Sequence, residues 1–248
     1  YAIGGRLARE VANSQTVKKY VSSFEANWVE SISLEKDLHE LGIKNAKFIP
    51  IFKNLTPVNL DQVKLDNNLP KHFCIFSRIM PEKGILDAMD AMNAVNNQMG
   101  CIAAVLDLYG PIEQNFTKEF NSKLSEYSNC CFYKGIVDSG KSVEILKDYY
   151  MLLFPTHWKH EGIPGTIIDA FFSGLPVIAR RWQYCDEMIQ DGVTGLVYEF
   201  DQPEYLKDLV LSAINNSMLV FGMKRNCIEA SHKYSQASVI HTIMSELF

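Results

Sequence analysis

The sequence predicts an α/β protein, a Rossmann-like parallel sheet with helices on both faces. From Lys71 onward, short apolar runs of strand length alternate with segments whose apolar residues recur at helical spacing. No hairpin turn joins one apolar run to the next, so the strands should run parallel and be connected by helical crossovers. The composition, 47% hydrophobic and 21% charged, is that of an ordinary globular chain.

The predicted sheet lies roughly between residues 54 and 200. Its strands are predicted at residues 72–77, 101–110, 130–135, 149–155, 176–180 and 194–200. The connecting helices are predicted at residues 83–98, 116–127, 142–149 and 165–173 and around 186–191. The first helix has the clearest spacing, with apolar residues at Ile85, Ala88, Met89, Met92 and Val95. Ligands bind beyond the carboxyl ends of the strands in such a sheet, so the loops that follow strands should carry the function.

The segments on either side of this region have a different character. Before it, residues 27–33 are typical of a short strand and residues 34–43 of a helix that ends near Gly42. Residues 55–71 are polar and rich in Asn, Asp and Pro, which indicates a linker or an extended entry to the sheet. After it, helices are predicted at residues 203–216, around 223–233 and at 236–248. The chain starts at Tyr1 in the middle of a pattern, so we expect that an upstream half is missing.

Composition and motifs argue against several classes of function. The net charge of −5 and the isoelectric point near 5.7 do not favour a nucleic-acid surface. No apolar run approaches the roughly 20 residues of a membrane span. The six cysteines form no C-x-x-C pair, which favours reduced thiols in a cytosolic protein, with Cys74, Cys101 and Cys131 in apolar runs. His157 and His160 are spaced for a metal, but further ligands and an Asp-x-Asp pair are absent, so we expect a loop surface there. The sequence also lacks G-x-G-x-x-G, G-x-x-x-x-G-K-[ST] and G-x-S-x-G.

The loop FSRIMPEKG is the first candidate ligand site. Arg78 and Lys83 lie five positions apart across a turn that contains Pro81. An Arg fork and a Lys point charge suit a diphosphate, although two solvated surface cations would give the same pattern.

The loop and helix in HEGIPGTIIDAF form the second candidate site. Pro164 suits the first helical position, because its missing N–H would be unpaired there. The backbone donors of Gly165, Thr166 and Ile167 would then be free to bind an anion or a sugar hydroxyl.

Two acids flank this helix start. Glu161 lies in the loop, where a solvated charge is the simpler interpretation, and Asp169 lies in the second turn of the helix among apolar neighbours. A carboxylate in such surroundings needs a partner, which favours a ligand or a buried hydrogen bond.

Taken together, these segments resemble the C-terminal lobe of a retaining GT-B glycosyltransferase of family 4. The resemblance covers about residues 48 to 200 and is carried in order by FSRIMPEKG, LYGPI, FYKGIV, EGIPGTIIDAFFSGLPVIA and DGVTGLVYEF. KYSQASVIHTIMSELF is similar to the closing helix of that fold. The resemblance implies a remnant of the N-terminal acceptor lobe in residues 1–47, a nucleotide-sugar-binding domain in 48–232, and a helix in 233–248 that crosses back to the N-terminal lobe.

The resemblance also implies a role for each candidate residue. Arg78 and Lys83 would hold the donor diphosphate, and Glu161 would bind the hydroxyls of the donor sugar as the first acid of a Glu-x7-Glu motif. Asp169 stands where the family usually has Glu, and it would accept hydrogen bonds from the ribose with a reach shorter by about 1.5 Å. The remaining donor contacts would come from a residue beside the base and from the helix start: Ile136, Ile163, Pro164, Gly165 and Thr166.

The implied activity is transfer of a hexosyl-type sugar from a nucleotide diphosphate sugar to a hydroxyl acceptor, with retention, in polysaccharide or glycoconjugate biosynthesis. No metal and no cofactor beyond the donor substrate are expected, and no nucleic acid. A lipid-linked glycan is one candidate acceptor. The implied location is the cytoplasm, including the inner face of the membrane if the N-terminal lobe makes peripheral contact. This chain alone is expected to be inactive. Two alternatives stay open: a non-catalytic nucleotide-binding or scaffolding lobe, and a GT-B nucleotide-sugar epimerase.

Overall fold

Within the residues that the computed structural model describes, the chain forms two parallel sheets. The description covers the backbone of residues 2–3 and 5–247 and the side chains of residues 9–138 and 140–244. The smaller sheet consists, in spatial order, of β1 (Ala2–Ile3), β2 (Asn27–Val29) and β3 (Ala46–Phe48). Its strands are connected by α1 (Gly5–Asn13), α2 (Gln15–Ser22) and α3 (Ile32–Glu40). The short strand and the helix predicted in this part of the sequence are therefore confirmed.

The larger sheet contains all six predicted strands, and each neighbouring pair is parallel. In chain order the strands are β4 (Lys71–Phe76), β5 (Ala104–Tyr109), β6 (Cys131–Gly135), β7 (Met151–Phe154), β8 (Val177–Arg180) and β9 (Gly195–Tyr198). Their order across the sheet is β6-β5-β4-β7-β8-β9, so the direction of winding reverses between β4 and β7. Open α/β sheets bind ligands in the crevice at such a switch point, beyond the carboxyl ends of the strands.

Helices cover both faces of the larger sheet. They are α4 (Ile85–Met99), α5 (Thr117–Glu126), α6 (Ser142–Leu146), α7 (Gly165–Phe172), α8 (Cys185–Met188), α9 (Tyr205–Asn215) and α10 (Ser217–Ser231). The last helix, α11 (Gln236–Leu247), contributes no residue to the two cores of this sheet in the described part of the chain. The alternation along β4 separates the two faces: Phe73 and Ile75 belong to a core shared with α4, α5 and α9, whereas Cys74 belongs to a core shared with α6 and α7. No helix in the described ranges is long and apolar enough to cross a bilayer.

Several element boundaries differ from the predicted ones. Strand β5 begins at Ala104, because α4 continues to Met99 and ends at Gly100 in the left-handed region with φ +68°. Cys101 is therefore exposed, although Cys74 and Cys131 are buried. Helices α6 and α8 are shorter than predicted. The predicted first and last parts of the chain include residues 1 and 248, which lie outside the described residues.

The segment that leads from β3 to β4 runs beside the residues that precede α11. The backbone N–H of Lys53 donates to the carbonyl of Tyr234 at 3.0 Å, and Lys53 forms a parallel bridge with Ser235. The chain is thus anchored at Lys53, just before the polar segment predicted as a linker.

Candidate functional site

The loops that follow β4 and β7 are pressed together beyond the carboxyl ends of the strands. Gly84 has φ +66°, and a Cβ at this position would lie 1.9 Å from the carbonyl oxygen of Pro155. Any other residue would strain the backbone and overlap Pro155. A second contact joins the loops, because the backbone N–H of His157 donates to the carbonyl of Glu82 at 2.8 Å. This packing brings Lys83 of one loop close to Glu161 of the other.

Lys83 and Glu161 form an ion pair across these two loops. Both side chains are mostly buried, with exposed fractions of 18% and 17%. The ammonium also lies 5.7 Å from the centre of the Phe154 ring, and the Thr156 hydroxyl lies 3.4 Å from Glu161 Oε2. The pair therefore places a strong hydrogen-bond donor and a strong acceptor at one point of the crevice. Thr156 was not singled out from the sequence, because a lone Thr in a loop carries no signal.

Arg78 and Ile136 lie on loops that follow strands, as predicted, but neither is packed into this cluster. Arg78 is exposed, and its guanidinium has no hydrogen-bond or ion-pair partner among the described residues. Ile136 follows β6 directly and is 70% exposed. Both side chains are free to contact a ligand, and their assigned roles remain predictions.

The start of α7 differs from the prediction in one detail. Pro164 is the N-cap, with φ −72° and ψ 119°, and the helix begins at Gly165. The N–H of Ile167 already donates to the carbonyl of Pro164 at 3.1 Å. The helix geometry thus leaves the amides of Gly165 and Thr166 as the free donors of this end. The Thr166 hydroxyl is buried and has no hydrogen-bond partner among the described residues.

Asp169 is buried, and its carboxylate is held by Lys53. The ammonium lies 2.8 Å from each carboxylate oxygen. Burial raises the pKa of Asp169, and the contacts with Lys53 and Ser142 oppose that rise. The prediction that Asp169 needs a partner is met by a side chain of the protein. Lys53 was missed, because a lysine just before a polar linker resembles a solvated surface cation.

Glu30 reaches the loop before α7 from the end of β2. Its Oε1 would lie 2.9 Å from a Cβ built on Gly162, and the backbone of Ile163 hydrogen-bonds to its carboxylate. Burial raises the pKa of Glu30, and the hydrogen bond from Ile163 lowers it. On the same loop, the indole N–H of Trp182 donates to the carbonyl of Gly162 at 3.1 Å. Glu30 therefore lies beside the backbone of Gly162 and Ile163, where the sequence predicts a contact with the nucleotide sugar.

The two histidines of the same loop each have a partner of their own. His157 Nε2 lies 2.7 Å from Asp87 Oδ2, and His160 Nδ1 lies 2.9 Å from Gln183 Oε1. Both are exposed, as expected for a loop surface. In the part of the chain that the structure describes, His, Cys, Asp and Glu side chains form no group of three that could hold a metal ion.

A six-stranded parallel sheet with a charged crevice at its switch point, preceded by a smaller three-stranded parallel sheet, is the arrangement found in GT-B glycosyltransferases. The structure of Alr3699/HepE from Anabaena, in complex with UDP and glucose, matches 100% of this chain and 70% of its own, with a TM-score of 0.80 and 16% identity. The pneumococcal O-GlcNAc transferase GtfA, in complex with UDP and GlcNAc, matches 94% of this chain and 47% of its own, with a TM-score of 0.73 and 17% identity. At these identities the likeness establishes the fold.

The chain belongs to the family described as Glycosyl transferases group 1, whose model matches residues 70–216. Among curated relatives, the uncharacterized glycosyltransferase MJ1069 of Methanocaldococcus jannaschii is 23% identical over 185 residues, which are 71% of this chain and 46% of the relative. The chain thus spans about half the length of this relative. The family assignment rests on the family match, and the fold rests on the likeness to the solved structures together with the strand order of the larger sheet.

Proposed function

We propose that the protein transfers a sugar from a nucleotide diphosphate sugar to a hydroxyl acceptor, with retention of the anomeric configuration. The observation that carries this proposal is the Lys83–Glu161 pair at the β4–β7 switch point. A cation for phosphate oxygens and a carboxylate for sugar hydroxyls are the two groups that such a donor requires side by side.

Donor binding would separate the two charges of this pair. The ammonium of Lys83 and the exposed guanidinium of Arg78 would bind the diphosphate and stabilise the negative charge that develops on it as the glycosidic bond breaks. Glu161 would accept hydrogen bonds from the sugar hydroxyls and orient the ring. The free amides of Gly165 and Thr166 would bind further oxygens at the positive end of α7.

The remaining features of the reaction follow from the resemblance and from the relatives. Ile136 would flank the base, and the UDP complexes of the structural relatives make UDP the first nucleotide to test. The acceptor would be a hydroxyl, with a lipid-linked glycan as one candidate, in polysaccharide or glycoconjugate biosynthesis. The charges of Arg78 and Lys83 are proposed to serve without a metal.

A nucleotide-binding lobe without catalysis is the second candidate function. It is favoured by the Lys53–Asp169 pair, because the acid expected to bind the ribose is already engaged by the protein. A turnover assay with UDP-glucose and UDP-GlcNAc on the full-length protein separates the two candidates, because only the enzyme releases UDP.

The donor site is tested by calorimetry with UDP and GDP on the full-length protein and on Arg78→Ala and Lys83→Met. We expect each substitution to weaken binding of the nucleoside diphosphate by about 10-fold or more, because each removes a charge-assisted hydrogen bond. Lys147→Met is the matched control, since Lys147 is exposed just before β7, away from the carboxyl ends of the strands. If both variants bind as tightly as the control, the site is assigned to the wrong residues.

A further inference from the structure

The Lys53–Asp169 pair presents its cation to the crevice and buries its anion. The side chain of Lys53 is 27% exposed, whereas that of Asp169 is 6% exposed. A ligand that enters the crevice therefore meets an ammonium at this point. An ammonium only donates hydrogen bonds, whereas a carboxylate only accepts them, so the chemistry of the subsite is opposite to that of a free acid.

The ammonium of Lys53 has donor capacity left over. Two of its three N–H groups are used by the two oxygens of Asp169, each at 2.8 Å. The nitrogen also lies 3.3 Å from a Cβ built on Gly165, the first residue of α7. The third N–H and the free amides of the first turn are therefore neighbours, and both favour an anionic oxygen.

Lys53 is also fixed at its base. Its backbone N–H donates to the carbonyl of Tyr234 at 3.0 Å, and Lys53 forms a parallel β-bridge with Ser235, just before α11. With the backbone held by one segment and the ammonium held by Asp169, the side chain loses little further freedom when a ligand binds.

We propose that Lys53 is a donor-binding residue that contacts a diphosphate oxygen of the nucleotide sugar beside the first turn of α7. Asp169 is then a positioning residue, which acts by holding Lys53 and does not bind the ribose. The inference rests on the proposed function, because it assigns a third cation to the same donor. It replaces the role that the resemblance implies for Asp169, which is to accept hydrogen bonds from the ribose hydroxyls.

The test is a comparison of UDP with uridine by calorimetry on the full-length protein and on Lys53→Met and Lys53→Arg. Lys53→Met should weaken UDP binding by about 10-fold and leave uridine binding unchanged, and Lys53→Arg should recover most of the loss. The UDP affinity of wild type should also fall more steeply with salt than that of Lys53→Met. Because Lys53→Met leaves the buried carboxylate of Asp169 without its cation, the double variant Lys53→Met/Asp169→Asn, which removes both charges, is measured beside it and should show the same loss.

The outcomes separate this inference from the proposed function. In one outcome, wild type binds UDP, Arg78→Ala lowers the UDP affinity, and the Lys53 variants bind UDP as tightly as wild type. Lys53 then does not contact the diphosphate, and the assigned donor site still stands. Equal losses for UDP and uridine also overturn it, because they place Lys53 at the nucleoside. If wild type binds neither UDP nor GDP, the proposed function fails and the inference fails with it.

Discussion

Lys224 is a buried cation that the proposed reaction does not use. Its ammonium donates to the carbonyl of Tyr149 at 2.5 Å, and among the described residues no carboxylate lies within ion-pair distance of it. Burial lowers the pKa of Lys224 to about 8. The folded protein therefore releases this proton at a lower pH than the unfolded chain does, and the charge costs stability while it is present.

The buried charge of Lys224 should be visible in the pH dependence of the free energy of unfolding. Below pH 8 both states carry the proton, and the folded state has the full cost of the buried charge. Between about pH 8 and 10.5 the folded state binds fewer protons than the unfolded state, so the free energy of unfolding rises with pH from this group. Urea unfolding at pH 7 and at pH 10 should show that the free energy gained on raising the pH is smaller in Lys224→Met than in wild type. An equal pH response in the two proteins would contradict the assignment.

At the residue scale, the sequence could predict which side chains are candidates to bind the nucleotide sugar, but it could not predict every side chain that pairs with them. Lys83 and Glu161 belong to quoted motifs, and the structure joins them across the two loops. Lys53 and Asp169 are 116 residues apart, and Lys53 lies in a segment without periodicity. A contact of that kind depends on where this segment passes the start of α7, and local spacing does not encode it.

At the scale of elements, the site depends on the close approach of two loops. The backbone of Gly84 can adopt φ +66° and can lie against Pro155 only because it lacks a Cβ. The contact between Gly84 and Pro155 also holds Lys83, the residue before Gly84, beside Glu161. A substitution that separates the two loops should therefore lower both the free energy of unfolding and the affinity for the nucleotide sugar.

Gly84→Ala should destabilise the protein by about 3 kcal/mol, from left-handed strain and from overlap with a backbone oxygen. Gly100→Ala is the matched control, because Gly100 has φ +68° and nothing lies within 4 Å of a Cβ built there. That variant should lose only about 1 kcal/mol. Urea unfolding gives both values, and UDP binding should weaken in Gly84→Ala alone. Similar losses of stability in the two variants would mean that the loop contact contributes nothing beyond strain.

Element prediction succeeded where the apolar pattern was long. All six strands and the helix with the clearest spacing, α4, were predicted, because burial on both faces of a parallel sheet leaves continuous apolar runs. The failures lie at ends and caps. Cys101 looked like part of a strand because it directly precedes the apolar run of β5, although Gly100 marks the turn that ends α4. Pro164 looked helical although it caps the helix.

At the scale of the whole molecule, the smaller sheet is connected to the larger one by side chains as well as by the linker. Glu187 on α8 accepts hydrogen bonds from the backbone N–H groups of Ile32 at 2.8 Å and of Ser33 at 3.0 Å. These are the first two residues of α3, whose positive end the carboxylate also stabilises. The predicted division of the chain at residues 48 and 233 remains a prediction, but the contacts across it are specific.

Glu187→Ala should loosen α3 without unfolding the larger sheet. Removing the carboxylate leaves two helix-end amides without an acceptor, which we expect to cost roughly 1 kcal/mol locally. Hydrogen exchange should show faster exchange in residues 32–40 and unchanged exchange in β4 and β7. Glu199→Ala is the control, because Glu199 is an exposed acid that pairs with Arg181 within the larger unit. If exchange in α3 is unchanged, or if exchange in β4 and β7 accelerates as much as in α3, Glu187 is not a specific link between α3 and the larger sheet.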